Sequence, residues 1–318
     1  MVTGAAGMVG QNLVPRLVAR GHKVIAIDKS GAALKVLGQR APAADRHVAD
    51  LAEEGSWGDL FSGADTVVDL KAQITSPDRA LHIRNNSLAT SRVLAACERH
   101  AVPYLIHLSS SVVVSRAADF YTETKRLGEE AVRASRTKHT ILRPPLMFGP
   151  GDIKHLGLIL RLMKVLPLIP LPGDGRFIRQ PLYVGDLCAV IETCLDRPPD
   201  GGTFNIIGHD RIAFVDLLRQ IRAITRSRCV FVPLPIALFR VVLGVQQLFR
   251  RTIFTTEQLD ALTAGDDFPV ENWSEVFGVP FTPFQVAAPR VYSQDDDLRV
   301  SLLAALNGEE PRQPRTST

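Results

Sequence analysis

The sequence predicts an α/β protein in which a doubly wound parallel sheet is joined to a smaller, discontinuous C-terminal domain that covers a ligand site. Three observations predict this fold: a glycine-rich turn near the N-terminus, short apolar runs that alternate with helix-like segments, and a proline-rich change of pattern after residue 150. The composition agrees, because 46% of the 318 residues are hydrophobic and 22% are charged, which is typical of a globular protein with a buried core.

The glycine turn is the first element. The chain opens with MVTGAAGMVGQNLVPRLVARGHKVIAID, in which a strand, three glycines, a helix and a second strand follow one another. Gly4 permits a tight turn, Gly7 lets the backbone approach a pyrophosphate, and Gly10 allows the helix to pack closely on the strand. Phosphates would lie at the helix N-terminus, where unpaired N–H groups favour anions. This context predicts a dinucleotide-binding Rossmann domain; the alternative is that the glycines serve turn geometry alone.

The acid at the end of the second strand indicates which dinucleotide is bound. Asp28 closes the apolar run at residues 24–27, at the distance from the glycines where a carboxylate binds a ribose 2′-hydroxyl. Because a carboxylate repels the 2′-phosphate of NADP, we expect NAD as the cofactor. The adjacent Lys29 leaves some tolerance for NADP.

Strands and helices alternate through the rest of the first half. Apolar runs predict strands at residues 66–70, 104–108 and 140–142, and periodic segments predict helices at residues 87–100 and 122–136. Ligands bind beyond the carboxyl ends of parallel strands, so the segments after these runs are expected to line the site. The first strand, Met1 to Thr3, is shorter than the usual ~5 residues; either the chain starts earlier or this strand is short.

The second half predicts a lid over the cofactor. Prolines cluster at residues 167–172 and the sequence GDG follows as a strong turn signal. Residues 201–208 are typical of a strand that returns to the sheet. The predicted domains are a Rossmann domain at 1–150 with 181–208, a substrate or lid domain at 151–180 and 209–305, and a polar, disordered tail at 306–318.

Charge and cysteine content exclude several classes of protein. The net charge is +4 and Lys and Arg are scattered, so we expect no nucleic-acid partner. The four cysteines lack metal-ligand spacing, and Cys188 and Cys194 lie in an apolar helical pattern. We interpret them as core thiols of a protein in a reducing cytoplasm, with no bound metal.

One apolar segment raises the question of membrane contact. Residues 233–251 are strongly apolar, but Arg240 interrupts them and they are too short to span a bilayer. They predict a core or interface helix. A basic amphipathic helix on a membrane surface is the alternative, which would make the protein peripherally membrane-associated.

A resemblance to a known family rests on motifs found in order along nearly the whole chain. These are TGAAGMVG, ADL at 49–51, NSLAT at 86–90, LSSS at 108–111, YTETK at 121–125, LRPPLMFGPGD at 142–152 and RQPLYVGDLCAVI at 179–191. Together they resemble the extended short-chain dehydrogenase/reductase family, which includes NAD-dependent sugar-nucleotide epimerases, dehydratases and 3β-hydroxysteroid dehydrogenases.

The resemblance implies a catalytic group. Tyr121 would exchange a proton with a substrate hydroxyl or carbonyl while hydride passes to or from nicotinamide. Lys125, one helical turn along, would bond the nicotinamide ribose and lower the tyrosine pKa. Ser110 would hold the substrate oxygen, with Ser111 as the competing register. A small-molecule substrate and a homodimer through the helices at 87–100 and 122–136 are also implied.

The family pattern implies binding residues as well. Those assigned to the cofactor are Gly4, Ala6, Gly7, Met8, Val9, Asp28, Lys29, Asp50, Leu51, Leu70, Lys71, Ala72, Asn86, Leu108, Ser109, Tyr121, Lys125, Pro144 and Leu146. Asn86 also matches a buried asparagine near the active-site helix, for which the resemblance implies a structural role. Ile74, Arg179 and Tyr183 are assigned to the substrate, with a salt bridge to a lid carboxylate as the alternative for Arg179. We interpret Asp186 as a helix cap or a domain-joining hydrogen-bond acceptor rather than a catalytic acid.

Departures from the pattern leave two functions open. Ser111 and Val112 stand where dehydratases carry an Asp-Glu pair, which disfavours dehydration. Asp69 and Lys71 replace a His and a small residue, so Lys71 either meets an anionic group near the cofactor or is solvated. We predict an NAD-preferring oxidoreductase or epimerase that acts on a secondary alcohol or ketone, with a sugar nucleotide or a sterol as substrate.

The lid and C-terminal segment also resemble the atypical branch related to the nucleotide-binding accessory subunit of respiratory complex I. The alternative is therefore a non-catalytic, dinucleotide-binding scaffold or assembly protein.

Overall fold

The computed structural model of the chain describes residues 1–74, 76–115, 119–199, 201–248, 256–266, 268–293 and 297–307. The strands are β1 (Val2–Thr3), β2 (Ile25–Asp28), β3 (Asp45–Val48), β4 (Thr66–Asp69), β5 (Tyr104–Leu108), β6 (Lys138–Arg143), β7 (Met147–Phe148), β8 (Leu168–Pro172), β9 (Ile178–Arg179), β10 (Leu182–Tyr183), β11 (Thr203–Asn205), β12 (Ile212–Ala213) and β13 (Val230–Leu234).

The helices cover both faces of the main sheet and build the second half of the chain. They are α1 (Met8–Ala19), α2 (Gly31–Arg40), α3 (Arg79–His82), α4 (Ala89–Arg99), α5 (Phe120–Ala134), α6 (Leu156–Val165), α7 (Val184–Asp196), α8 (Phe214–Thr225), α9 (Ile236–Leu248), α10 (Thr256–Ala264), α11 (Trp273–Phe277), α12 (Phe284–Tyr292) and α13 (Asp297–Leu306). A π-helical turn at Ile83–Leu88 joins α3 to α4.

Seven parallel strands form the main sheet in the order β11-β6-β5-β4-β1-β2-β3. The strand order reverses at β1, which pairs with β4 on one side and with β2 on the other. This reversal opens a crevice beyond the carboxyl ends of the strands, where ligands of doubly wound sheets bind. The predicted fold class is confirmed, and β1 is short but paired on both sides.

The predicted strands agree with the sheet except at its edge. Residues 104–108 form β5, and residues 203–205 return as β11 to pair with β6. Strand β3 was not predicted because it lies at the edge of the sheet and most of its side chains are exposed, so it has no apolar run.

The second half packs partly on itself and partly on the main sheet. Side chains of α6, α8 and α12 build a separate apolar core that includes Leu160, Leu218 and Phe284. In contrast, Leu298 and Leu302 of α13 belong to the same core as β1, and α13 packs on α2. The domain boundaries remain a prediction, and residues 308–318 of the predicted tail lie outside the described residues.

Two further expectations concern the thiols and the apolar segment. All four cysteines are buried free thiols, as expected for Cys188 and Cys194. Residues 236–248 of the apolar segment form α9, and residues 249–251 lie outside the described residues. Within the part of the chain that the structure describes, no helix is both long and apolar enough to cross a bilayer.

Candidate functional site

The glycine turn fits a dinucleotide phosphate. Gly4 has a φ of +65°, and a Cβ atom added there would lie 2.6 Å from the backbone N of Lys71, so only glycine is accommodated. Helix α1 begins at Met8 with no side-chain cap and with no acidic residue in its first turn. Its N-terminal backbone N–H groups and positive dipole end therefore suit an anionic group.

Asp28 is held in place at the end of β2. Its carboxylate accepts hydrogen bonds from the backbone N–H groups of Ala6, at 3.0 Å, and Ser30, at 2.9 Å. Burial raises the pKa of Asp28, and these hydrogen bonds and the charges of Lys29 and Lys154 oppose the rise. A carboxylate fixed in this way can receive ribose hydroxyls beside the glycine turn.

A cleft of about 670 Å³ runs from the glycine turn to the second half of the chain. The predicted site residues that line it are Gly4, Ala6, Gly7, Met8, Val9, Asp28, Lys29, Asp50, Leu51, Leu70, Lys71, Ala72, Ile74, Leu108, Ser109, Ser110, Ser111, Tyr121, Lys125, Pro144, Leu146 and Arg179. Two predicted residues, Asn86 and Tyr183, do not line it.

Tyr121 enters the cleft from the first turn of α5. The helix begins there because the Asp119 carboxylate accepts a hydrogen bond from the backbone N–H of Thr122 at 2.6 Å. Of the two candidate serines, Ser110 is the one that influences the Tyr121 hydroxyl through a hydrogen bond. Burial raises the pKa of Tyr121 to about 12, and the hydrogen bond with Ser110 opposes this rise.

Lys125 lies one turn farther along α5 and is almost fully buried. Its Nζ donates a hydrogen bond to the carbonyl oxygen of Leu108 at 2.8 Å. Burial, followed by the positive charge of Lys71, lowers the pKa of Lys125 to about 8, while the carboxylates of Asp69 and Glu129 act in the opposite direction. The lysine is thus poised to change its charge close to neutral pH.

A buried ionic cluster lies beside Lys125. The Asp69 carboxylate, which is 1% exposed, accepts hydrogen bonds from Lys71 at 2.8 Å and from Thr3 at 2.6 Å, and it is bonded to His107 at 2.9 Å. The Nζ of Lys71 also donates to the hydroxyl of Thr90 at 2.8 Å. The solvated alternative for Lys71 is therefore wrong: it lines the cleft, but its ammonium group is bound to protein.

The hydrogen bonds of Asn86 agree with the structural role that the resemblance implies, and its assignment to the cofactor stays a prediction. Its side-chain amide is bonded to the backbone N–H and C=O of Gln73 at 2.7 and 3.0 Å and donates to the Thr124 hydroxyl at 3.0 Å. All its polar atoms are thus engaged within the protein, where they connect the strand-end segment at Gln73 to α5. The Thr90 hydroxyl donates to the Asn86 carbonyl at 2.6 Å, which links this bridge to Lys71.

The contacts of Tyr183 support a packing role, and its assignment to the substrate stays a prediction. Its ring packs against Phe148 with centroids 5.7 Å apart, and Phe148 packs in turn against Phe284 at 4.7 Å. The parallel pairing of β7 with β10 places Tyr183 opposite Phe148, and the tyrosine is partly buried against the apolar cores.

Arg179 lines the cleft but already has a carboxylate partner. Its Nη1 donates to Asp266 at 2.8 Å, and each side chain is only 11% exposed. Within the described residues, the Nε of Arg179 and the Oδ2 of Asp266 are buried without a hydrogen-bond partner. Burial lowers the pKa of Arg179 and raises that of Asp266, so the pair presents little net charge to a ligand.

Several lining residues escaped prediction. Lys154, His155, Asp266, Leu302 and Leu306 all reach the cleft from the second half of the chain. Lys154 and His155 directly follow the LRPPLMFGPGD motif, whereas Asp266, Leu302 and Leu306 are brought to the cleft by the packing of distant segments. Asp266 was anticipated only as an unspecified lid carboxylate.

Comparisons with known proteins agree with this geometry. A family model described as the NAD dependent epimerase/dehydratase family matches residues 1–207. The chain is 25% identical over 247 residues to the Bos taurus sterol-4-alpha-carboxylate 3-dehydrogenase, decarboxylating, a match that covers 69% of this chain and 68% of that protein. It is 31% identical over 176 residues to the 2-alkyl-3-oxoalkanoate reductase of Stenotrophomonas maltophilia (strain K279a), covering 48% of this chain and 52% of the reductase.

Solved structures share the fold. The UDP-glucuronic acid 4-epimerase from Bacillus cereus, in complex with UDP-glucuronic acid and NAD, superposes with a TM-score of 0.71 at 20% identity and covers 95% of this chain and 98% of that chain. The family match, the strand order and the glycine turn together show that this chain belongs to the NAD dependent epimerase/dehydratase family, whose members are NAD-using enzymes of the extended short-chain dehydrogenase/reductase type.

Proposed function

We propose that this protein is an NAD-dependent oxidoreductase that interconverts a secondary alcohol and a ketone on a largely apolar substrate. The observation that carries the proposal is the meeting of Tyr121, Ser110 and Lys125 in one cleft with the glycine turn and Asp28. Three separate segments of the chain converge there. A Tyr-Lys pair with only a structural role would not require this convergence.

The roles of the side chains follow from their chemistry. NAD, when bound, supplies the hydride acceptor or donor. The Tyr121 hydroxyl exchanges a proton with the substrate oxygen, and the Ser110 hydroxyl orients that oxygen by a hydrogen bond. Lys125 holds a positive charge on the same helix face, which favours the tyrosinate form of Tyr121.

The wall of the cleft supports the apolar substrate class. The second half contributes a mainly aliphatic and aromatic lining that includes Leu156, Ile159, Phe214 and Leu262, and Met147 of β7 adds to it. The guanidinium of Arg179 is neutralised by Asp266, so a diphosphate would have to displace that carboxylate. Two curated relatives are named for a sterol and for a 2-alkyl-3-oxoalkanoate, which supports the same class.

A sugar nucleotide is the second candidate substrate. The buried Nε of Arg179 has no hydrogen-bond partner among the described residues, and a guanidinium suits a phosphate oxygen. The Bacillus cereus epimerase of similar fold is named with UDP-glucuronic acid. Turnover of this class would be an epimerisation or oxidation at a sugar hydroxyl.

Turnover of a small substrate panel tests the proposal. Purified protein with NAD would be incubated with a 3β-hydroxysteroid, a long-chain 3-hydroxy acid, UDP-glucose and UDP-glucuronic acid. NADH absorbance reports net oxidation, and chromatography of the sugar products detects epimerisation. We expect NADH with an apolar alcohol and a fall of about 10²–10⁴-fold in kcat for Tyr121→Phe.

Tyr183→Phe is the matched control, because Tyr183 lies outside the cleft. Activity that Tyr121→Phe leaves intact would contradict the assigned role. NAD binding without turnover of any panel member would favour the scaffold of the complex I accessory-subunit type over the enzyme.

A further inference from the structure

Exposed aliphatic side chains concentrate on one face of the second half. Of the 17 large hydrophobic residues that are exposed in the described part of the chain, eight lie in α6, β8, β13, α9 or the turns beside them. We call these eight the lid face: Val165, Leu166, Leu168, Val230, Val232, Ile236, Leu238 and Val241. Large exposed apolar patches on soluble proteins commonly mark interaction surfaces.

The pairing of β8 with β13 explains why these side chains point outward. Val230 lies opposite Leu168, and these two side chains are 52% and 57% exposed. Residues paired across parallel strands share a face, and the next residue along a strand points to the other side. Ile169, next to Leu168, is accordingly buried in the core of the second half. The outward apolar face is thus a consequence of the register and not of local disorder.

The charge of the same region is strongly one-sided. The whole chain has 37 Lys and Arg and 33 Asp and Glu; residues 153–173 and 217–248 hold eight of the basic residues and none of the acidic ones. The rest of the chain therefore carries a net charge of −4, although the protein as a whole carries +4. Not all of this charge is available at the lid face, because Lys154 lines the cleft and Arg219 and Arg240 pair with Asp216 and Asp260 outside the two ranges.

The basic side chains lie beside the apolar ones. Arg226 and Arg228 are exposed and precede β13, and exposed Arg161 lies in the helix that leads to β8. Two hydrogen bonds join the segment before β13 to the segment between α6 and β8. The Ser227 hydroxyl donates to the Met163 carbonyl at 2.8 Å, and the Val230 N–H donates to the Pro167 carbonyl, also at 2.8 Å. Arg219 and Arg240 are not part of this set, because they pair with Asp216 and Asp260.

We propose that the lid face is a docking surface for an anionic lipid bilayer, with its aliphatic side chains inserted among the lipid headgroups and its basic side chains against their negative charges. Charge complementarity selects this occupant, because basic residues around apolar side chains are attracted to anionic lipids. A protein partner of opposite charge would need a matching acidic patch, whereas a bilayer supplies negative charge at every orientation. The contact is peripheral, since α9 spans only Ile236–Leu248.

Helix α6 connects the lid face to the cleft. Its first residues, Leu156, Leu158 and Ile159, line the cleft, and its last residue, Val165, lies on the lid face. On the proposed function, this arrangement would let an apolar substrate pass between the bilayer and the site. The docking itself does not depend on that function.

Vesicle flotation tests the docking without any substrate. The full chain would be mixed with vesicles of phosphatidylcholine alone or with added phosphatidylserine, and the floated protein measured against salt concentration. Two double variants remove the two parts of the surface, Arg226→Glu/Arg228→Glu and Val165→Ser/Leu168→Ser. Lys23→Glu/Lys35→Glu and Val276→Ser are the controls, because these residues are equally exposed but lie elsewhere.

The expected result is flotation with phosphatidylserine vesicles, little with phosphatidylcholine alone, and a loss with rising salt. Each lid-face variant should bind at least about tenfold less protein to the vesicles, and both controls should float like the wild type. Thermal unfolding identifies any lid-face variant that does not fold. In that case the flotation of the other lid-face variant tests the proposal. The proposal is overturned if the wild type ignores both vesicle types, if the controls lose as much as the variants, or if Val165→Ser/Leu168→Ser instead abolishes self-association of a protein that does not float.

Discussion

Tyr121 and Lys125 share one face of α5, and burial acts on their pKa values in opposite senses. Removing a phenolate from water raises the pKa of Tyr121, and removing an ammonium lowers the pKa of Lys125. In the protein without cofactor the tyrosine is therefore a weak acid and the lysine is close to losing its charge. A positive charge brought beside them would favour the tyrosinate and so reverse the first effect.

The first prediction concerns that reversal. The pKa of Tyr121 should be about 12 in the protein alone and should fall when oxidised NAD binds, because its nicotinamide ring brings a positive charge beside the tyrosine. Tyrosinate absorbance would be titrated with and without NAD, and the titration of Tyr121→Phe would be subtracted so that one tyrosine of the four is isolated. A pKa that NAD leaves unchanged would contradict the role of Tyr121 as an acid or base.

The second prediction concerns Lys71, whose charge is the largest electrostatic influence on Lys125 after burial. Lys71→Met should raise the pKa of Lys125 from about 8 toward the ordinary ~10.4, because a like charge disfavours protonation. The groups that face Lys125 are Lys71 and Asp69 on the β4 side, His107 on β5 and Glu129 on its own helix. Carbon-13 NMR of labelled lysine side chains, with Lys125→Met for assignment among eight lysines, measures the titration.

A second variant is needed in case Lys71→Met does not fold. Lys71→Met leaves Asp69 without its main ion-pair partner, which is costly for a buried carboxylate. Asp69→Asn/Lys71→Met removes both charges and should still raise the pKa of Lys125, because Lys71 acts on it more strongly than Asp69 does. The exposed Lys23→Met serves as the control. An unchanged Lys125 titration in both Lys71 variants would mean that Lys71 has only a structural role.

At the scale of elements, single polar side chains join segments that are far apart in sequence. Asp186 on α7 accepts hydrogen bonds from the backbone N–H of Thr282 at 2.7 Å and from its hydroxyl at 2.6 Å. Asp186 therefore acts as a hydrogen-bond acceptor and not as a helix cap: it fixes the approach to α12 against α7, the helix that packs on α1. Asn86 does the same between the end of β4 and α5.

The third prediction is that Asp186→Ala lowers the free energy of unfolding by about 2–4 kcal/mol, because two hydrogen bonds to a charged acceptor are lost and two donors remain. Urea unfolding followed by far-ultraviolet circular dichroism measures the change. Asp186→Asn should lose less, since its amide oxygen still accepts. Asp59→Ala, at an exposed acidic residue, should change stability by less than ~0.5 kcal/mol; an equal loss there would show that Asp186 has no special role.

At the scale of the whole molecule, the C-terminal segment closes the Rossmann half. Helix α13 packs on α2, and its Leu302 is 2% exposed and lies in the same core as β1. Leu302 also lines the cleft. The cofactor end of the site is therefore completed by residues about 300 positions from the glycine turn.

The fourth prediction follows from that packing. Leu302→Ala should lower the free energy of unfolding by about 2–5 kcal/mol through lost burial and a cavity, and it should weaken NAD binding because the same side chain lines the cleft. Urea unfolding and calorimetric titration with NAD measure the two effects. Val286→Ala, at a residue that is 47% exposed, is the control. A Leu302→Ala protein as stable as the control would mean that α13 does not close the first half.

Local pattern predicted the features that depend on neighbouring residues. Gly4, Gly7 and Asp28 belong to one strand-turn-helix-strand unit, and the fold class, the family and NAD follow from such units. Tyr121 and Lys125 were found because one helical turn fixes their spacing. The homodimer, membrane association and the assigned roles of the site residues remain predictions.

The sequence by itself determined the fold, the family, the cofactor and the residues offered for catalysis, because each depends on spacing within a few tens of residues. The tertiary structure alone decided which polar side chains are already bonded within the protein and which can contact a ligand. It committed Asn86 to Gln73 and Thr124, bound Lys71 to Asp69 and paired Arg179 with Asp266. The physical reason is that a buried polar group must find its partner in space, and those partners lie on elements that no local pattern connects.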